Sequence, residues 1–216
     1  LFGVAAHCES YFGLDLSPTA IERLRDQTAK RGLTNVTLCA DTAERIETLA
    51  EQSFDLVIIN SVVQYFPSAE HLIRILNAAV RVTAPGGTVF IGDVRSLPLL
   101  PAFHASVACH QSDGIGNRMD LLRLADRNLA GEQELVLDPT LFTDLAQEQR
   151  RISGVGLALR RGRGDNEMNR FRYDVYLHVE CPIQKRPAEM LEFSESNAAT
   201  WREEIEYRRP AAASLI

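Results

Sequence analysis

The sequence predicts an α/β fold: a Rossmann-like, doubly wound, mostly parallel sheet with a C-terminal antiparallel hairpin. Three observations predict it. Short apolar runs alternate with helical stretches four times between Glu9 and Val94, a rhythm that builds parallel strands through right-handed crossovers. One of those runs, FDLVIIN at 54–60, is nearly all apolar, as expected of a strand buried on both faces of a parallel sheet. Near the end, VGLALRRGRGDNEMNRFRYDVYLHV places two apolar stretches around a charged loop, which predicts a hairpin at the sheet edge.

The elements follow in order. Residues 9–15 predict the first strand, and YFGLDLSP ends it in a carboxylate, Asp15, just before a helix. Ser17 stands at the cap of that helix with Pro18 in its first position, and TAIERLRDQTAKRG runs amphipathically to a stop at Gly32. NVTLCA (35–40) predicts the second strand, and a polar helix is expected from Asp41 to about Glu51. After the strand at 54–60, AEHLIRILNAAVRVTAPGG gives a helix and a turn at Pro85-Gly86-Gly87, and TVFIGDV (88–94) the next strand. From Leu97 to about Gln149 the pattern is helical, broken by the polar HQSDGIGNRMD. The chain after residue 181 is polar and weakly periodic, so a domain over 1–181 and a tail over 182–216 are expected.

Composition narrows the function. The 216 residues are 45% hydrophobic and 24% charged, an ordinary globular balance with room for one sizeable core. A net charge of −6 argues against a general nucleic-acid binder. No apolar run approaches the roughly 20 residues of a membrane span, and no secretion signal opens the chain. Cys8, Cys39, Cys109 and Cys181 lie far apart without a CxxC pair, so reduced thiols in a cytoplasm are expected. The leucine at position 1 suggests a piece of a longer protein.

Polar residues close three of the strands: Asp15, followed by Leu16 as a further cofactor-side candidate, then Asp41 with Thr42, and Asn60 with Ser61. In an open α/β sheet ligands bind beyond the carboxyl ends of the strands, so these residues would share one crevice. Asp15 suits the two hydroxyls of a ribose, Asp41 an exocyclic amine, and the Thr42 backbone N–H a ring nitrogen. Together they outline adenosine. Blander readings stand beside these. Asp15 and Asp41 are also helix-capping types, Asn60 can end a strand by bonding its own backbone, and Tyr65 and Phe66 suit packing beneath the cleft. A lone His104 in an apolar helix is more often packed than catalytic. The run Arg160-Arg161-Gly162-Arg163 reads as a solvated hairpin face, or as a contact for an acidic partner or a phosphate. A nicotinamide enzyme is disfavoured because no GxGxxG is present.

On these residues the chain resembles the class I S-adenosylmethionine-dependent methyltransferases. More narrowly, NSVVQYFPS, GGTVFIGDVRSLPLL, AFHASV and NRFRYDVYLHV are similar to the methyltransferase domains embedded in nonribosomal peptide synthetases. The resemblance covers about residues 1–179. It implies a strand order of 3-2-1-4-5-7-6 with the last strand antiparallel, S-adenosylmethionine as cofactor, and residues 97–149 covering the substrate. It also implies an acceptor amino acid carried as a thioester on a carrier domain's phosphopantetheine arm, methylated most often on nitrogen, with neighbouring synthetase domains as partners.

In the family a strand and a glycine-rich loop precede the residues matching LFGVAAHCES. A gap of roughly 10 Å, two strand spacings, is therefore expected at the sheet centre, with weak cofactor binding by these 216 residues alone. A catalytically silent structural or docking module is the alternative. On the acceptor side Asp93 is the expected proton acceptor or orienting group, with Gln64, Tyr65, Arg95 and His104 as neighbours. Arg95 is also the expected partner should Asp93 be structural. The chemistry calls for positioning of the nucleophile and for no metal.

Overall fold

The computed structural model describes residues 1–112, 117–160 and 166–182. The expected tail beyond Pro182, the centre of the break at 113–116, and Arg161 and Arg163 lie outside the described residues. A one-turn helix α1 (Phe2–Ala5) precedes β1 (Tyr11–Asp15) and α2 (Pro18–Lys30). Ser17 caps α2 as its sequence predicts, its Oγ accepting the Ala20 N–H at 3.2 Å. Next come β2 (Val36–Ala40) and a 3-10 helix over Ala43–Thr48. An α-helix was expected at that second place. The segment is short and the Thr42 side chain caps no backbone N–H of the first turn, conditions under which the tighter 3-10 turn suffices.

The central part holds β3 (Phe54–Asn60), a 3-10 turn at Val63–Tyr65, α3 (Ala69–Val82) and β4 (Thr83–Arg95). Ser68 caps α3 by accepting the His71 N–H. The turn expected at Pro85–Gly87 falls inside β4 as an irregularity. Phe54 lies opposite Thr83 but Leu56 opposite Thr88, so four residues bulge out between them, with Gly86 at φ 85°. The helices α4 (Leu100–Gln111), α5 (Arg118–Ala130) and α6 (Thr140–Glu148) follow. The chain then forms β5 (Ile152–Leu159), a short α7 (Glu167–Arg170) and β6 (Arg172–Val179).

The strands form two sheets. β1 pairs parallel with β2, and the second sheet has the order β3-β4-β6-β5, with β6 antiparallel to both neighbours. Within each sheet this is the expected order, and among the described residues no strand pairs with both β1 and β3. The core packs α3 and α6 on the four-stranded sheet through Leu72, Leu76, Val80, Val89, Ile91, Phe142, Val175 and Leu177. One expectation fails here. β3 is not buried on both faces: Leu56 and Ile58 are 46% and 45% exposed. Both face the space between the sheets, because β3 hydrogen-bonds to β4 alone. The rings of Phe12 on β1 and Phe54 on β3 approach to 6.5 Å across that space.

Candidate active site

A cavity of about 790 Å³ opens between β1 and β3, within the size range of small-molecule sites. Its rim holds Asp15, Leu16, Asp41, Thr42, Asn60 and Tyr65. Five of the six residues expected on the cofactor side therefore line one space. The sixth, Ser61, stands behind Asn60, whose Nδ2 donates to its Oγ at 2.9 Å. The shared location follows from topology: β1 runs parallel to β2 and β3 to β4, and the carboxyl ends of β1, β2 and β3 all reach the cavity.

Each carboxylate is half engaged. Asp15 Oδ1 accepts the Ser17 N–H at 2.8 Å, and Asp41 Oδ1 accepts the Thr42 N–H at 2.8 Å. The second oxygen of each has no protein donor among the described residues, and so suits a hydroxyl or an amine. The Thr42 N–H, expected to meet a ring nitrogen, is already taken by Asp41. The Thr42 hydroxyl instead bonds Glu44 and holds that carboxyl below its ordinary value. An adenosine-bearing cofactor fits this donor set through carboxylate acceptors at two strand ends, over an apolar floor that includes Leu14, Ile46 and Ile59.

The acceptor-side residues separate into distinct places. Tyr65 is 71% exposed and lines the cavity. Gln64 is buried beneath it. Its Nε2 donates to the Ser61 carbonyl at 3.3 Å, while its Oε1 has no partner among the described residues.

Asp93 is 1% exposed, and its surroundings differ from those expected. Arg95 does not pair with it. Its carboxylate instead accepts from Arg160, from Arg172 Nη1 at 3.0 Å and from Ser61 Oγ at 2.9 Å. Its own N–H donates to Asp174 Oδ1 at 2.9 Å. Three donors fill three of the roughly four acceptor positions of that carboxylate. Both Ser61 (φ 58°) and Asp93 (φ 70°) sit in the left-handed region, at the ends of adjacent strands. Such backbone costs about 1–3 kcal/mol each and collects at functional sites. Arg160, from the run expected as a solvated hairpin face or as a contact for an acidic partner or a phosphate, faces Asp93.

Arg95 and His104 belong to a second network centred on Glu132. Arg95 donates Nη1 and Nη2 to the two oxygens of Glu132, and Nη1 also reaches Glu134 at 2.9 Å. His104 Nε2 stands 3.1 Å from Glu132 Oε2. The hydrogen bonds from Arg95 pull the Glu132 carboxyl down to about 2, against burial that raises it. No sequence pattern marks Glu132, which lies in a turn between helices. This network fixes the segment 132–137 across the ends of β3 and β4. There the Leu135 N–H donates to the Gln64 carbonyl (2.8 Å) and the Leu137 N–H to that of Arg95 (2.9 Å).

The fold is that of the class I methyltransferases. Residues 2–135 match the methyltransferase domain family, and the chain belongs to it. It is 40% identical over 177 residues to the chondramide synthase of Chondromyces crocatus, covering 82% of this chain and 4% of that one. Against the beauvericin nonribosomal cyclodepsipeptide synthetase of Beauveria bassiana it is 35% identical over 179 residues, covering 81% and 6%. The chain thus spans a small fraction of these relatives' length. Among solved structures it is similar to the N-methyltransferase NodS from Bradyrhizobium japonicum WM9 in complex with S-adenosyl-l-homocysteine. That likeness has a TM-score of 0.53 at 16% identity, covering 82% of this chain and 70% of that one. The described residues contain no helix long and apolar enough to cross a membrane.

Proposed function

We propose that this domain transfers a methyl group from S-adenosylmethionine to an amino acid held as a carrier-domain thioester, on its nitrogen, within a nonribosomal peptide synthetase. The observation that carries the cofactor half is the convergence of Asp15, Asp41 and Asn60 from three strand ends on one cavity. The acceptor half is supported by the likeness to synthetases at up to 40% identity across four-fifths of the chain.

The cofactor supplies an activated methyl on a sulfonium, and the protein's share is placement. Asp15 and Leu16 would hold the ribose and Asp41 with Thr42 the adenine, with Asn60 at the next strand end. The open position between β1 and β3 suits the strand and glycine-rich loop that the resemblance implies, which would complete the cavity wall. On the acceptor side Tyr65 borders the cavity and is placed to hold an amine hydrogen. Asp93 holds its two arginines instead of acting as a base. Gln64, Arg95 and His104 shape the covering segment.

The test is methyl transfer by the full-length protein to an amino acid loaded on its carrier domain, followed by mass spectrometry of the released product. A mass gain of one methylene on the amine supports the reading. No transfer, or transfer to oxygen or carbon, overturns it.

A further inference from the structure

We propose that Arg160 binds the acceptor's carbonyl oxygen, the one next to the amine, and that Asp93 holds the guanidinium in place for it. The inference rests on the function proposed above. Arg160 follows β5 and reaches the carboxyl end of β4, where its Nη1 bonds Asp93 Oδ1. Its side chain is 29% exposed, and among the described residues its Nε and Nη2 have no partner. Arg172 differs: it is more buried and divides its two Nη groups between Asp93 and Glu167. One guanidinium is thus committed to the protein, and the other is held at one edge with donors to spare.

The position suits a substrate. A hydrogen-bonded chain leads from Asn60 on the cavity wall to Ser61, from Ser61 to Asp93, and from Asp93 to Arg160. Two non-glycine residues with left-handed backbone, Ser61 and Asp93, lie on this path, at the strand ends where open α/β sheets bind ligands. A staple for the β5–β6 hairpin would need neither the strain nor the spare donors. An arginine locked by a carboxylate has fewer conformations to lose on binding, so it suits a polar oxygen of fixed position. In an α-amino acyl group that oxygen is the carbonyl, one carbon from the amine. A thioester carbonyl and a free carboxylate share this chemistry.

The experiment uses the full-length protein with Arg160→Gln and Arg160→Lys. Acceptors are an aminoacyl-pantetheine thioester, the free amino acid, and an amine analogue with the carbonyl reduced to methylene. Arg160→Gln is expected to raise KM for the thioester by about 10- to 100-fold, the scale of a hydrogen bond to a charged donor. Cofactor affinity and Tm should stay near those of the unsubstituted protein. Arg160→Lys should recover part of the loss, and the carbonyl-free amine should show no difference between the proteins. A loss confined to the free amino acid would assign the subsite to a carboxylate in place of a thioester. An unchanged KM, or an equal loss on the carbonyl-free amine, overturns the subsite. If the unsubstituted protein methylates none of these amines, the functional reading fails. Calorimetric binding of the thioester to both proteins then decides the subsite alone: equal affinities overturn it, and weaker binding by Arg160→Gln supports it.

Discussion

Arg95 and Glu132 meet through two hydrogen bonds of 2.7 Å each, closing a separation of 37 residues. The pair joins the end of β4 to the turn after α5, with His104 on the same carboxylate. Removing the charge while keeping the shape isolates its worth. Glu132→Gln is expected to lower unfolding stability by about 1.5–3 kcal/mol, the range for hydrogen bonds to charged groups. Glu134 stays in reach of Arg95 and moderates the loss. Urea denaturation of both proteins checks this, and equal midpoints would mean the covering segment is held by its backbone bonds alone.

The same pair predicts an acid dependence. The folded Glu132 carboxyl is held at about 2 against an ordinary 4.5, so the folded state binds this proton more weakly than the unfolded chain. Its stabilisation is full above about pH 4.5 and is lost as pH falls toward 2. The stability difference between the unsubstituted protein and Glu132→Gln should therefore narrow through that window. A difference that stays constant down to pH 2 would contradict the assignment.

Gly92 and Asn60 lie side by side on β4 and β3. A Cβ at position 92 would sit 2.2 Å from Asn60 Oδ1 and 2.7 Å from the Phe90 ring. Gly92→Ala should push Asn60 from the cavity wall and cost about 1–3 kcal/mol of stability through overpacking. The effect on cofactor binding should be mimicked by Asn60→Ala, which removes the same side chain without the clash. Thermal melts and cofactor titrations of both variants separate the two contributions.

These residues show what was legible in the sequence. The strand ends at Asp15, Asp41 and Asn60 could be read because each closes a short apolar run, and parallel topology brings such ends together without knowledge of packing. The hairpin was legible for the same reason. The pairing of charges was not. Asp93 and Arg95 are two apart on one strand, yet the structure turns Asp93 toward Arg160 and Arg172 and Arg95 toward Glu132. The left-handed backbone at Asp93 redirects the chain at the strand end, and no sequence pattern marks it. The exposure of Leu56 and Ile58 was likewise hidden, since an apolar strand reads the same whether one edge is paired or open.

The ribose assignment of Asp15 can be tested without disturbing its local turn. Its Oδ1 accepts the Ser17 N–H, so Asp15→Ala would loosen the start of α2 along with any ligand contact. Asp15→Asn keeps an acceptor for Ser17 and replaces the second oxygen with a donor. A ribose hydroxyl that donates to the carboxylate loses a charge-assisted bond and must turn to accept. Cofactor affinity of the full-length protein should fall by about 10- to 100-fold, or about 1.5–3 kcal/mol, with Tm nearly unchanged. Isothermal titration with S-adenosyl-l-homocysteine measures it directly, free of turnover. Affinity within twofold of the unsubstituted protein would remove Asp15 from the ribose site and leave it as a turn residue ahead of α2.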